Sequence, residues 1–283
     1  MATKKAVAKK EEGPVSEVLP DFMQKGSAGT EVLEQKDIEL PWLKLLQGTT
    51  PGLNENGWRA GNFLHSILEQ EVEGPEGMQI TPIVALQPRY VLFRPIEQGG
   101  GMLARADDGV HWSPPDYEFQ VKINKGTKDV TWKTAATVAK SGLDKWGSSD
   151  PADPNSGPAA DLQYQYICVS PTHPHFGPFV ILLQRSGIKA AKRLNALMMS
   201  SGVDAYGLVF NVASLWEDKG PNDKKFLWKF SRAGFVANEE EYKKNAGLYE
   251  QFKGVDIGIH DEDSSSTADT PGGDVEGTDD GEY

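Results

Sequence analysis

Between Met78 and Leu86, and again between Leu162 and Val169, apolar side chains recur at every second position or in short runs, with Gln79, Gln163 and Gln165 among them. Successive side chains of a strand point to opposite faces, so this period of two predicts strands with at least one buried face. The same reading gives strands over Asn62–Leu68, Tyr90–Arg94, Tyr117–Ile123, Pro178–Gln184, Gly207–Trp216 and Lys225–Arg232. Two segments change period. From Ser186 to about Ser200, Ile188, Ala191, Leu194, Leu197 and Met198 recur at spacings of three and four, after a serine that can cap a helix. Glu239 to Lys253 reads as a second, charged helix on the surface.

Gly99-Gly100-Gly101, Ser113-Pro114-Pro115 and the polar stretch Gly147–Ala160 interrupt these elements as loops. From Leu162 onward the predicted order is strand, strand, helix, strand, strand. That order suits a five-stranded Greek-key barrel of the oligonucleotide-binding (OB) type, in which a helix commonly sits between the third and fourth strands. Met78–Arg94 would be a bent first strand and residues 95–160 a long insertion. Sandwich topologies fit the same strand list. The expected fold class is therefore mainly β (α+β), an OB-fold-like barrel with long insertions, a helix between strands and disordered termini. A flexible basic arm is expected at 1–30, one β-rich domain at 31–253 with its barrel over about 78–232, and an acidic tail at 254–283. No internal repeat of 20–50 residues is visible.

Charge changes this picture at the ends. The chain carries a net −12, and nine carboxylates lie in Asp261–Tyr283 without a Lys or Arg, so the rest stands at only −3. Val275 and Tyr283 are the tail's only sizeable apolar groups, too little to offset about 1–2 kcal/mol of ordering entropy per residue, so disorder is expected there. The opposite end is basic, with Lys4, Lys5, Lys9 and Lys10. A lone Cys168 excludes an intrachain disulfide and suits a reducing compartment. The longest apolar run, Phe179–Leu183, is far below the ~20 residues that cross a bilayer, so cytoplasm is the expected location and no membrane partner is expected.

The residues that could carry chemistry are cations interleaved with aromatics. In Lys224–Arg232, Phe226, Trp228 and Phe230 share one strand face, and Lys225, Leu227 and Lys229 the other. Exposed, the aromatic face is a ladder for unstacked bases; buried, it is a core strand with lysines in solvent. Arg89-Tyr90-Val91-Leu92-Phe93-Arg94 offers a second cation–aromatic strand. The stretch Trp112–Lys133 offers a third, with Lys122, Lys125, Lys128 and Lys133 beside Tyr117, Phe119 and Trp132, as a flexible basic hairpin. Cys168, His173 and His175 could supply three zinc ligands, but no fourth lies nearby and Thr172–His175 reads as a turn. No P-loop, nucleophile elbow, zinc-protease or kinase signature is present, so neither an enzyme, a metal nor a cofactor is expected.

An acidic tail ending in an aromatic, here Asp279, Asp280, Glu282 and Tyr283, together with a barrel core, resembles the single-stranded DNA-binding proteins of tailed, T7-type bacteriophages. The segment Leu40-Pro41-Trp42-Leu43-Lys44-Leu45-Leu46-Gln47 followed by Gly57–Ser66 also looks like the opening of phage proteins of the replication region. This chain is longer, has a long middle insertion, and ends in Tyr where that family has Phe. The resemblance implies a protein that protects replication, recombination or repair intermediates and recruits polymerase, helicase or primase through Asp279, Asp280, Glu282 and Tyr283. DNA contacts would fall to Arg89, Tyr90, Lys122, Lys125, Lys128, Trp132, Lys225, Trp228 and Lys229. A strand-annealing recombination protein and an acidic interaction or inhibitor protein are the alternatives, and a homodimer stays open.

Overall fold

A computed structural model describes residues 39–124, 126–220, 224–255 and 257. The strands are β1 (Leu43–Leu45), β2 (Phe63–His65), β3 (Gln70–Val72), β4 (Met78–Ala85), β5 (Arg89–Phe93), β6 (Met102–Ala106), β7 (Glu118–Ile123), β8 (Lys128–Lys133), β9 (Ala160–Val169), β10 (Phe179–Gln184), β11 (Leu208–Asp218) and β12 (Lys224–Phe235). The helices are α1 (Val138–Ser141), α2 (Ile188–Met199) and α3 (Glu239–Phe252).

β4 and β5 act as one bent strand along a single edge of β9. Thr81–Ala85 opposes Val169–Tyr166, Leu86 N–H donates to Gln165 O, and Arg89–Leu92 opposes Gln163–Ala160. Pro82, which has no N–H to give, sits where the register shifts, and Pro88 precedes the second half. The halves then part company: β4 pairs with β11 and β5 with β6. With β10 on the other edge of β9 and β12 on β11, the strands β12, β11, β4, β9 and β10 lie side by side, each pair antiparallel.

The structure is thus mainly β, as the pattern predicts, but it is not a closed barrel. Among the described residues β10 and β12 do not pair. The segment Pro41–Gln47 lies between them: Val180 N–H donates to Pro41 O at 2.8 Å, and Gln47 exchanges two side-chain hydrogen bonds with the backbone of Phe226, each 2.9 Å.

Alternation sorts β9 and β10 into two apolar layers. Tyr166, Cys168, Phe179, Ile181 and Leu183 face the main core, where Phe63, Ile80, Phe210, Val212, Phe230 and the α2 residues Ala191 and Leu194 join them. Ile167 and Val180 face the other way and are covered by Trp42, Phe252 of α3 and Ile257. The serine cap expected for α2 is not made, because a 3-10 turn over Arg185–Gly187 leads in and Gly187 is the N-cap. Packing fixes this helix instead, with Tyr166 Oη donating to Asn195 Oδ1 at 2.8 Å. Helix α3 has a side-chain cap, Asn238 Oδ1 accepting from Glu241 N–H at 2.8 Å, and three glutamates in its first turn that complement the helix dipole.

The insertion between β5 and β9 contains β6, the separate hairpin β7–β8 and α1. It has its own apolar centre of Trp112, Val121, Val130, Trp132, Val138 and Leu143, which reaches the main sheet through Leu92 and Ala160. The stretch read as a flexible basic hairpin is therefore packed, through β7 and β8, on an apolar centre of its own. β8 has Val130 and Trp132 facing in and Lys128, Asp129, Thr131 and Lys133 at the rim.

Candidate nucleic-acid interface

The hairpin β11–β12 sets the register that decides which aromatics can meet a ligand. Val212 opposes Phe230, Ser214 opposes Trp228, and Trp216 opposes Phe226, so all six lie on one face. Along that face burial falls toward the hairpin tip. Phe230 is fully buried; Trp228 is half-buried, its ring 4.9 Å from Phe63 and parallel to Phe230 at 6.0 Å. Trp216, backed by Phe226 at 4.8 Å, has half of its surface in solvent. Phe226 is held from behind by the loop at Gly61, whose positive φ and missing Cβ allow a close approach. A Cβ there would sit 2.5 Å from the Phe226 ring. The ladder read from Phe226, Trp228 and Phe230 is therefore core at one end and platform at the other. Trp216, not singled out from the sequence, is its exposed member. The period of two through Val212, Ser214 and Trp216 carried that signal.

Cations near the hairpin tip are matched by acids. Lys219 pairs with Glu217 at 3.0 Å and Lys224 with Asp218 at 3.2 Å, while Lys225 lies opposite Glu217 in the register. Lys229 is exposed on the other face, opposite Ala213.

The remaining expected contacts are dispersed. Arg89 is buried, its guanidinium donating to Gln163 Oε1 at 3.1 Å and to Ile257 O at 2.8 Å, and so is taken up by the fold. Tyr90 is half-buried beside the insertion's core, and desolvation pushes its phenol above its ordinary pKa. Trp132 is buried with its indole N–H donating to Ser149 O at 3.1 Å. Lys128 binds both oxygens of Asp150 at 2.5 and 2.7 Å, and this contact holds the Asp150 carboxyl below the usual carboxylate range. Lys122 is exposed, with Asp129 at 3.9 Å. Another aromatic, Trp146, stands 70 % exposed in the insertion beside exposed Lys145. Lys125, Asp279, Asp280, Glu282 and Tyr283 lie outside the described residues.

The three residues that could have ligated zinc are not brought together. Cys168 is in the main core, where burial raises its thiol pKa, whereas His173 and His175 sit in the turn beyond β9. Among the described residues no group of three or more His, Cys, Asp or Glu is placed to hold a metal ion. Among the described residues no helix is long and apolar enough to cross a membrane.

These features define a mainly β, antiparallel protein with an exposed aromatic hairpin and an insertion packed on its own apolar centre. The chain belongs to the Pam3 phage gp34-like protein family, whose profile matches residues 9–257, and this supports a phage origin. Comparison with curated proteins and with solved structures gives no match.

Proposed function

We propose that the protein is a non-enzymatic, sequence-tolerant binder of single-stranded DNA that protects phage replication or recombination intermediates and recruits replication proteins through its acidic tail. The observation that carries this reading is the Trp216–Phe226 pair, an aromatic platform backed by the Gly61 loop and open to solvent, with Lys229 exposed on the other face of the same hairpin. Base–aromatic stacking is worth about 1–3 kcal/mol per base and is indifferent to sequence. Strand order supports it. In an OB barrel the fifth, fourth, first, second and third strands run side by side with a helix between the third and fourth, as β12, β11, β4, β9 and β10 do with α2. The β11–β12 tip then corresponds to the loop between strands four and five, one of the places where such barrels bind nucleic acid. The other customary surface, the outer face of β9 and β10, lies beneath Trp42, Phe252 and Ile257. Contact therefore falls to the hairpin and the insertion.

A gel shift or anisotropy titration with oligo-dT and a matched duplex tests this. Micromolar or tighter binding to the single strand is expected, weakening with salt by about 0.7 in log–log slope per phosphate contacted. No binding at low salt, or equal affinity for duplex, refutes it. A protein-interaction role without DNA is favoured by one observation: an open cleft of about 600 Å³ lined by Val203, Asp204, Phe235, Val236 and Tyr242, with Val203 and Phe235 exposed. The same titration separates the two.

A further inference from the structure

From Leu162 to Val203 the chain has no Asp or Glu, although its net charge is −12. Four Lys or Arg residues lie in that stretch: Arg185, Lys189, Lys192 and Arg193. Arg185 is engaged with both oxygens of Asp161, at 2.9 to 3.1 Å. The other three stand on α2, exposed, while Ala191 and Leu194 on the opposite side are buried in the main core. Spacings of three and four place them on one helical face, with Cβ atoms about 5–6 Å apart. Among the described residues none of the three makes an ion pair, whereas Lys128, Lys133, Lys219 and Lys224 each have a carboxylate.

This arrangement acts against the helix that carries it. Lys189 and Arg193 are like charges one turn apart, which weakens a helix, and Lys189 lies in the first turn, where the helix dipole disfavours a cation. No acidic residue occupies that turn to compensate. Three cations are thus kept together at a local cost to the helix, in a chain otherwise rich in acid. Ala191 and Leu194 share the main core with Trp228 and Phe230 of β12, so the cationic face is fixed to the same packed unit as the aromatic hairpin.

We propose that the exposed face of α2 formed by Lys189, Lys192 and Arg193 is a phosphate-backbone contact for single-stranded DNA, distinct from the base platform at Trp216. It rests on the DNA-binding reading above and adds to it a track for the sugar–phosphate chain. The test uses the full chain and the triple variant K189Q/K192Q/R193Q, which removes charge with little change in helix propensity. Affinity for oligo-dT would be followed by anisotropy from low to moderate salt, with circular dichroism as the check on folding. The variant is expected to keep the wild-type spectrum, to bind roughly ten-fold or more weakly at low salt, and to show a log–log salt slope shallower by about 2. A wild-type protein that binds and a folded variant with the same slope would overturn this contact alone. A wild-type protein that does not bind would overturn the DNA-binding reading and this contact with it. Tighter binding by the variant would mean that the face holds the chain's own carboxylate tail, and would also overturn it.

Discussion

Two tryptophans on one face of the β11–β12 hairpin should respond oppositely to the same substitution. Trp228 is half-buried between Phe63 and Phe230, and Trp216 is half in solvent with Phe226 beneath it. Replacing a fully buried Trp by Ala costs about 3–5 kcal/mol. About half of that, plus about 0.5–1.5 kcal/mol for the lost aromatic pairing, gives about 2–4 kcal/mol for Trp228→Ala. At about 2–4 °C per kcal/mol for a domain of this size, Tm should fall by about 5–15 °C. Trp216→Ala loses a smaller buried area and the Phe226 contact, about 1–3 kcal/mol, and should lower Tm by about 2–10 °C, less than Trp228→Ala because Trp228 is the more buried of the two. Its loss should instead weaken oligo-dT binding by about 1–3 kcal/mol, roughly five- to 150-fold. Differential scanning calorimetry and anisotropy on both variants would read the two effects. A Trp228 variant that melts normally but binds poorly, or a Trp216 variant that binds normally, would refute the division of the ladder into core and platform.

Arg89→Met should lower stability by about 2–4 kcal/mol, since Gln163 Oε1 and the Ile257 carbonyl lose a charged donor, and should leave DNA affinity per folded molecule unchanged; denaturant unfolding and anisotropy check both. Burial holds the His65 and His173 imidazoles below the ordinary His pKa, with His175 adding to the shift. The unfolded chain then takes up protons near pH 6.5 before the native state does, so stability rises with pH up to that value and Tm should fall on acidification from pH 7 to 5. A flat Tm over that range contradicts it, and His173→Gln should remove part of the slope. Deleting residues 261–283 should tighten DNA binding several-fold, most at low salt, because nine tethered carboxylates no longer compete for the cations. Tyr283→Ala should keep the affinity and lose the pull-down of a replication protein; unchanged affinity after deletion with intact recruitment would make the tail a solubility device.

Most strands were legible because their faces differ in polarity. Met78–Leu86, Leu162–Val169 and Pro178–Gln184 became β4, β9 and β10 within two residues at either end, and the bend at Met78–Arg94 came from prolines visible in the sequence. β1 and β3, three residues each, are too short to show a period. β6, reading Met-Leu-Ala-Arg-Ala after three glycines, is held by pairing with β5 rather than by propensity. The site was harder to read, because exposure and charge pairing are long-range properties. Nothing local tells that Lys128 meets Asp150, that Arg89 reaches Ile257, or that Trp132 closes over Val121 and Val130. The α2 cations Lys189, Lys192 and Arg193 were missed by a reading keyed to cations beside aromatics, although their spacing of three and four in a stretch without acid carried the signal.

The separate apolar centre of the insertion has a consequence for how such proteins diversify. Because Trp112, Val121, Val130 and Trp132 pack on one another and meet the main sheet along one side, through Tyr90 and Leu92 of β5, Ala104 and Ala106 of β6 and Ala160 of β9, the segment between β5 and β9 is a module with a single seam. A lineage can lengthen, shorten or exchange it while the packing of Tyr166, Phe179 and Phe210 stays as it is. Sequence divergence within the family is therefore expected to run high on one side of that seam and low on the other, so that new binding preferences arise by replacement of a part without redesign of the whole.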